Sequence, residues 1–335
     1  MTTLLAIILL LLKIGLVFLG FLLVGLLLIS GWLVLGERRV LAWMQIRLGP
    51  NRAGPFGLLQ PVADIVKLLT KEDVMPEGAD RLIFPYAPAV VATTALLIFA
   101  VIPFGERWTI LGKEIPLVIS DLNVGLLYAF ALSSLGVYGV ALGGWASNSK
   151  FSLLGSIRGV GQMISYELSL GLSLVPVVML AGSFSLVDIV NAQASYPFLV
   201  VQPVSFLIFF LSAAAEIKRI PFDLPEAENE LVAGYHTEYS GMRFGLYFLG
   251  EYVTMIMLGS LLAVFFLGGW RGPLLPPVLW FCGKVTLVVF FMIWLRATLP
   301  RLRYDQLMNL GWKVLIPVAL LNIVATGGVI LWIRG

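Results

Sequence analysis

Eight apolar runs, at roughly 14–36, 82–103, 122–145, 160–181, 199–216, 244–267, 278–298 and 312–333, dominate this chain. A helix rises about 1.5 Å per residue, so runs of about 18 or more residues reach across ~30 Å of hydrocarbon. Lipid offers peptide groups no water to bond to, and runs of this length satisfy those groups as helices. The predicted fold is all-α, a polytopic membrane protein with about eight transmembrane helices. No small-residue cleavage site follows the first run, so it reads as a retained span.

Composition removes the other classes. Charged residues are 12% of the chain and apolar residues 59%, against about 25% charged in soluble proteins. A soluble enzyme, a disordered chain and a secreted disulfide scaffold are excluded. There is one Cys (Cys282) and one His (His236). These cannot build a four-thiolate cluster, a Cys/His zinc site, a bis-His haem or an internal disulfide. No metal site is expected, and any redox centre belongs to other chains. The net charge of +3 points to no nucleic-acid partner.

Charge placement sets orientation. Sixteen of the 22 Lys and Arg follow the first, third, fifth and seventh runs, among them Arg38, Arg39, Arg158, Lys218, Arg219 and Arg301. That side is predicted to be cytoplasmic, with both termini periplasmic. Residues 1–335 read as one integral membrane domain with two long cytoplasmic loops, 37–81 and 216–243. Gly139 and Gly143 form a small-xxx-small pair suited to close helix packing.

The loop 37–81 contains a predicted amphipathic helix at 57–71. Leu58, Val62, Ile65, Val66 and Leu69 share one face, and Gln60, Asp64, Lys67 and Lys71 the opposite one. Such a helix lies in the membrane interface. It serves either as an anchor for the bundle or as a lipid-level portal for an amphiphilic substrate.

The loop 216–243 gathers Glu216, Asp223, Glu226, Glu228, Glu230 and Glu238 against Lys218 and Arg219. Asp223 and Glu226 fit a capping box, with Pro225 near a helix start and Glu226 and Glu230 on one helix face. Capping leaves Glu216 and Glu230 unexplained. Crowded carboxylates raise one another's pKa and share protons, so proton handling or partner docking stands against a merely solvated face. Glu167, Glu251 and Glu216 also lie within or at the ends of apolar runs. An acid at a helix centre costs about 2.5–3.5 kcal/mol, which favours a functional role over helix-gluing hydrogen bonds.

The motifs Gly36-Glu-Arg-Arg39, Arg47-Leu-Gly-Pro-Asn-Arg52, Gly54-Pro-Phe-Gly-Leu-Leu-Gln-Pro61 and Pro221-Phe-Asp-Leu-Pro-Glu-Ala-Glu228 are long and specific. With Ile164-Ser-Tyr-Glu167 and Gly234-Tyr-His-Thr-Glu-Tyr239, they resemble the H-subunit family of NADH:quinone oxidoreductase. That family is the bacterial respiratory complex I counterpart of the first subunit of mitochondrial NADH dehydrogenase.

The resemblance implies a subunit of an H⁺-translocating NADH:ubiquinone or menaquinone reductase in the bacterial inner membrane. Quinone would be the substrate, with FMN and iron–sulfur clusters in partner subunits and no catalytic residue in this chain. Implied partners are the peripheral-arm quinone-site subunits, small membrane-arm subunits and membrane lipid. The amphipathic helix and the first and sixth spans would frame the quinone entrance. Glu37, Arg38, Asp64, Val62, Ile65, Arg219 and Asp223 would line the chamber and its entrance. Glu167, Glu216, Glu226, Glu228, Glu230 and Glu251 would form the proton path. Some family members carry a third-span glutamate where this chain has Ser134. A stand-alone proton or cation transporter, a structural adaptor, and the equivalent subunit of a membrane-bound hydrogenase remain alternatives.

Overall fold

The computed structural model describes the backbone of residues 2–110 and 113–334, and side chains outside 1–19, 21–23, 107–116, 228–229 and 334–335. It is an all-α polytopic membrane fold with one small antiparallel hairpin, Arg107–Ile110 (β1) with Lys113–Pro116 (β2). The helices are Thr2–Met44 (α1), Gln60–Thr70 (α2), Ile83–Ile98 (α3), Gly125–Ala146 (α4), Lys150–Ala181 (α5), Leu186–Ala192 (α6), Phe198–Val201 (α7) and Pro203–Glu216 (α8). Glu228–Leu231 (α9), Gly241–Phe266 (α10), Pro277–Thr298 (α11), Tyr304–Asn309 (α12) and Ile316–Arg334 (α13) follow, with a π-helical turn Leu310–Leu315 before α13.

Each of the eight expected spans falls on a helix. Among the described residues, five helical segments are long and apolar enough to cross a membrane: α4, α5, α10, α11 and Tyr304–Ile333. The α3 and α8 helices are apolar but shorter. The fifth expected span is two helices, α7 and α8, broken at Gln202. Pro203 has no N–H to continue the ladder. The Gln202 side chain instead donates to Thr326 and accepts from Asn322 of α13.

α10 is buried continuously from Gly250 to Val253 and from Met255 to Phe266. A helix apolar on all sides belongs in the interior, and α1, α3, α8 and α11 pack around it. α3 and α10 meet α4 across the expected glycine pair. A methyl at Gly139 would collide with Val91, and one at Gly143 with the Tyr247 hydroxyl. The Tyr247 hydroxyl donates to the Gly139 carbonyl at 3.0 Å and that of Tyr239 to the Gly143 carbonyl at 3.2 Å.

Three boundaries differ from the sequence expectation. α1 continues to Met44, so Glu37 and Arg38 are helical rather than loop residues. α5 begins at Lys150, ten residues before the apolar run at 160. Its first turns carry Ser152, Gly155, Ser156 and Gly159, which lower hydropathy but pack against Gly144, Gly234 and Pro225. The capping box expected at Asp223 and Glu226 is absent: Asp223 lies in irregular backbone and Glu226 in a turn, and the short α9 starts after a left-handed Ala227. Cys282 is exposed on α11.

Candidate functional site

α2 lies beside α1 and α10 and closes a groove of about 360 Å³. Leu27 and Val34 of α1, Ile65 and Leu68 of α2, and Phe248 and Tyr252 of α10 line it. Pro61 sits in the first turn of α2, where its missing N–H costs nothing. The remaining apolar face (Val62, Val66, Leu69) is more than half exposed, as suits a helix lying in lipid headgroups. At the groove mouth, Arg38 Nη1 donates to Asp64 Oδ2 at 2.8 Å and Gln60 Nε2 to Asp64 Oδ1 at 3.0 Å.

Glu37 is one residue from Arg38, so it points about 100° away around α1, and it is 2% exposed. Arg219 Nη1 donates to both of its oxygens at 2.6 Å, and the Tyr252 hydroxyl donates to Oε2 at 2.5 Å. Arg296 of α11 donates to Oε1. A buried carboxylate stays charged only when paired and fully hydrogen-bonded, and these donors meet that condition. Arg219 Nη2 lies 3.5 Å from Glu251 Oε2, and the Tyr235 hydroxyl donates to Glu251 Oε1 at 3.0 Å.

The loop between α8 and α10 is fastened from beneath. Gln162 Nε2 donates to the carbonyls of Ala215 and Phe222, each at 2.7 Å. Gly234 adopts φ +62°, and its Cα packs so tightly against the Pro225 carbonyl that a side chain there would collide. In the same stretch, Asp223 and Glu226 are partly buried and line a cavity with Glu251. Burial, then the charge of Glu251, pushes the Glu226 carboxyl well above the usual carboxylate range, and it hydrogen-bonds Glu251. Burial pushes Asp223 up to about 6, against the opposing charge of Arg301. A neutral acid hydrogen-bonded to a carboxylate is a place where a proton is shared.

Three small, separate cavities lie between these groups, and neighbouring cavities share Glu251 and Glu216 as lining residues. The first, about 60 Å³, is lined by Asp223, Glu226, Glu251, Arg219, Arg296 and Phe248. Phe248 is also a wall of the groove. The second, about 30 Å³, runs from Glu251 to Glu216 past Thr94, Ser133, Lys218 and Thr254. The third, about 20 Å³, lies between Glu216 and Glu167. Each has room for at least one water, which needs about 10–15 Å³. Glu216 is 4% exposed and its Oε2 has no hydrogen-bond partner among the described residues. Ser134 of α4 donates to Glu167 Oε1.

The model of the NADH dehydrogenase family matches residues 16–327. The chain belongs to that family. It is 73% identical over 307 residues to the NADH-quinone oxidoreductase H subunit 2 of Syntrophobacter fumaroxidans, covering 92% of this chain and 93% of that protein. It is 68% identical to the corresponding H subunit 2 of Geobacter sulfurreducens over 305 residues, covering 91% and 93%. With the NADH-quinone oxidoreductase H subunit of Syntrophotalea carbinolica it shares 59% over 330 residues, or 98% of each chain.

Within this NADH dehydrogenase family chain, Glu37, Arg219, Asp223, Glu226, Glu251, Glu216 and Glu167 line neighbouring cavities, with Glu37, Glu216 and Glu251 buried and the others partly exposed. Arg38, Asp64 and Ile65 stand in the groove wall. Val62 lies on the outer face of α2, away from that wall. Glu230 stands apart, 54% exposed and paired with Arg158 at 2.5 Å and Arg301 at 3.9 Å. The Arg158 hydrogen bond holds its carboxyl below the usual range. The side chain of Glu228 lies outside the described residues.

Sequence reasoning passed over Tyr235, Tyr252, Arg296 and Lys218. The two tyrosines carry no sequence signal, because they contact acids 16 and 215 residues away. Arg296 was visible as a charge at a span end and was assigned only to orientation, and Lys218 was read as a counter-charge of the acidic loop but given no place among the site residues.

Proposed function

We propose that this chain is the membrane subunit of a proton-pumping NADH:quinone oxidoreductase that forms the quinone chamber and links quinone reduction to proton movement. The family membership and the names of its relatives support the complex. The observation that supports the finer reading is the row of separate cavities from the groove wall at Phe248 to Glu167, each sharing a lining side chain with the next.

An amphiphilic quinone enters from lipid between α1, α2 and α10, its tail along Leu27, Val34, Ile65 and Phe248. Its headgroup meets electrons outside this chain, in partner subunits that carry FMN and iron–sulfur clusters. Reduction of a quinone takes up two electrons and two protons. The loss of protons near Asp223 and Glu226 alters the charge felt by Glu251. In a low-dielectric interior a charge change on one carboxylate acts strongly on the next, and the change passes to Glu216 and Glu167. Ser134 holds the far end as a hydrogen-bond donor, since a hydroxyl stores no proton at pH 7. The whole chain works as one integral domain in the cell inner membrane. The end carrying α2 and the acidic loop faces the cytoplasm and both termini face the periplasm, as the Lys and Arg bias supports.

Glu216→Gln, placed in the assembled complex in membrane vesicles, tests this. Quinone reduction and coupled proton transfer should both fall about tenfold or more, while electron transfer to an artificial acceptor ahead of the quinone stays normal. Normal rates of both would overturn the proton role.

A further inference from the structure

Among the described residues, Lys218 is the one charged side chain in the second cavity that is not a carboxylate. It is 4% exposed, and its backbone adopts φ +60°, a conformation L side chains rarely take. A lysine held in that backbone region away from solvent costs stability twice, in strain and in desolvation. A position that only ended α8 would be served by glycine.

The surroundings show what the ammonium faces. Its Nζ stands 5.0 Å from the centroid of the Tyr235 ring, a cation–π contact. The hydroxyl of that same ring donates to Glu251 at 3.0 Å. Lys218 lines the cavity that joins Glu251 of α10 to Glu216 of α8, and its charge acts on both. Around it, Arg219 is committed to Glu37 and Glu251, and Glu226 to Glu251. Among the described residues Glu216 has no guanidinium partner, and its buried Oε2 has no hydrogen-bond partner.

We propose that Lys218 is a positioning residue of the relay: its ammonium is the counter-charge for the Glu216–Glu251 gap and fixes which of the two carboxylates holds the moving proton. This rests on the proton role proposed above and adds the element that gives the middle step a direction. With the ammonium present, one carboxylate of the pair stays ionised and ready to accept. Without it, two acids sharing one enclosed cavity do not both ionise; Glu251 keeps Arg219, so the proton stays on Glu216 and the step stalls.

The test uses the whole complex in membranes. Lys218→Met keeps the length of the side chain and removes the charge; Lys218→Arg keeps the charge. Native-gel abundance and electron transfer to an artificial acceptor report assembly. Lys218→Met is expected to lower quinone-coupled proton transfer at least tenfold and to shift its pH profile, with Lys218→Arg retaining more than half. If Lys218→Met prevents assembly, Lys218→Arg decides: coupled proton transfer above half of wild type supports the proposal, and a tenfold loss in an assembled complex that keeps the charge overturns it. Wild-type pumping and pH profile in assembled Lys218→Met also overturn it. Glu216→Gln run in parallel separates the two claims. If it is impaired while Lys218→Met is normal, only the role of Lys218 fails. If both are normal, the proton role itself fails.

Discussion

The groove and the acid series sit a single phenylalanine apart, yet they are built in opposite ways. The groove is wide, apolar and open to lipid, with one partly exposed ion pair, Arg38–Asp64, at its mouth. The acid series is narrow and charged, and its groups are held by one another: Glu37 by Arg219, Arg296 and Tyr252, and Glu251 by Arg219 and Tyr235. The groove tolerates changes in its polar groups because lipid and water are at hand. The series does not, because each charge there has only its partners. The contrast suits a passage for a greasy molecule set beside a path for protons.

Breaking a partner in the series should have the largest effect. Glu37→Gln leaves Arg219 and Arg296 facing a neutral amide in a buried site. Removing one member of a buried pair costs about 3–5 kcal/mol. The assembled complex should be lost from membranes or melt at a clearly lower temperature, as native gels and thermal denaturation would show. Wild-type abundance and melting would mean that these charges do not depend on one another.

A smaller effect is expected from Asp223, whose pKa rises from the ordinary 3.8 to about 6. The folded protein therefore binds a proton that the unfolded chain releases, and stability falls as pH climbs through the window from 3.8 to about 6. Asp223→Asn removes that loss. The variant should match wild type near pH 4 and melt higher than wild type at pH 7. A difference of the opposite sign, or equal melting at pH 7, would place Asp223 in water.

The smallest effect belongs to the groove mouth. Arg38→Gln removes a partly exposed pair worth about 0–1 kcal/mol. Assembly and melting should change little, and the contrast with Glu37, one residue earlier, would sharpen the distinction between the two regions. Loss of the complex on this change would erase it.

The helices were legible because lipid leaves a long apolar segment no other backbone state. Their ends were less so. α5 begins where buried serines and glycines depress hydropathy, and α1 runs on past its apolar stretch because Glu37 finds its partners inside the bundle. The amphipathic helix was legible from its spacing except at its start: it begins at Gln60 rather than 57, because Phe56 and Gly57 have positive φ, and Leu58 stands before it. The acids were legible as anomalies in a greasy chain, but their arrangement was not. Asp223 and Glu226 carry the spacing of a capping box, and tertiary packing around Gly155, Gly159 and Gly234 overrides it. Glu230, in the same loop, turns outward to Arg158. Which acid faces which arginine is decided by contacts spanning as many as 259 residues, and no local pattern encodes that.

The division of labour between the two regions is tested most directly by varying the length of the quinone tail. Ile65→Trp narrows the groove, and Glu216→Gln interrupts the acid series. Turnover of each assembled variant would be measured with a long-tailed and a short-tailed quinone. Ile65→Trp should slow the long-tailed quinone severalfold and leave the short-tailed one near wild type, whereas Glu216→Gln should slow both alike. The same tail-length dependence in both variants would contradict the assignment of tail to groove and proton to acids.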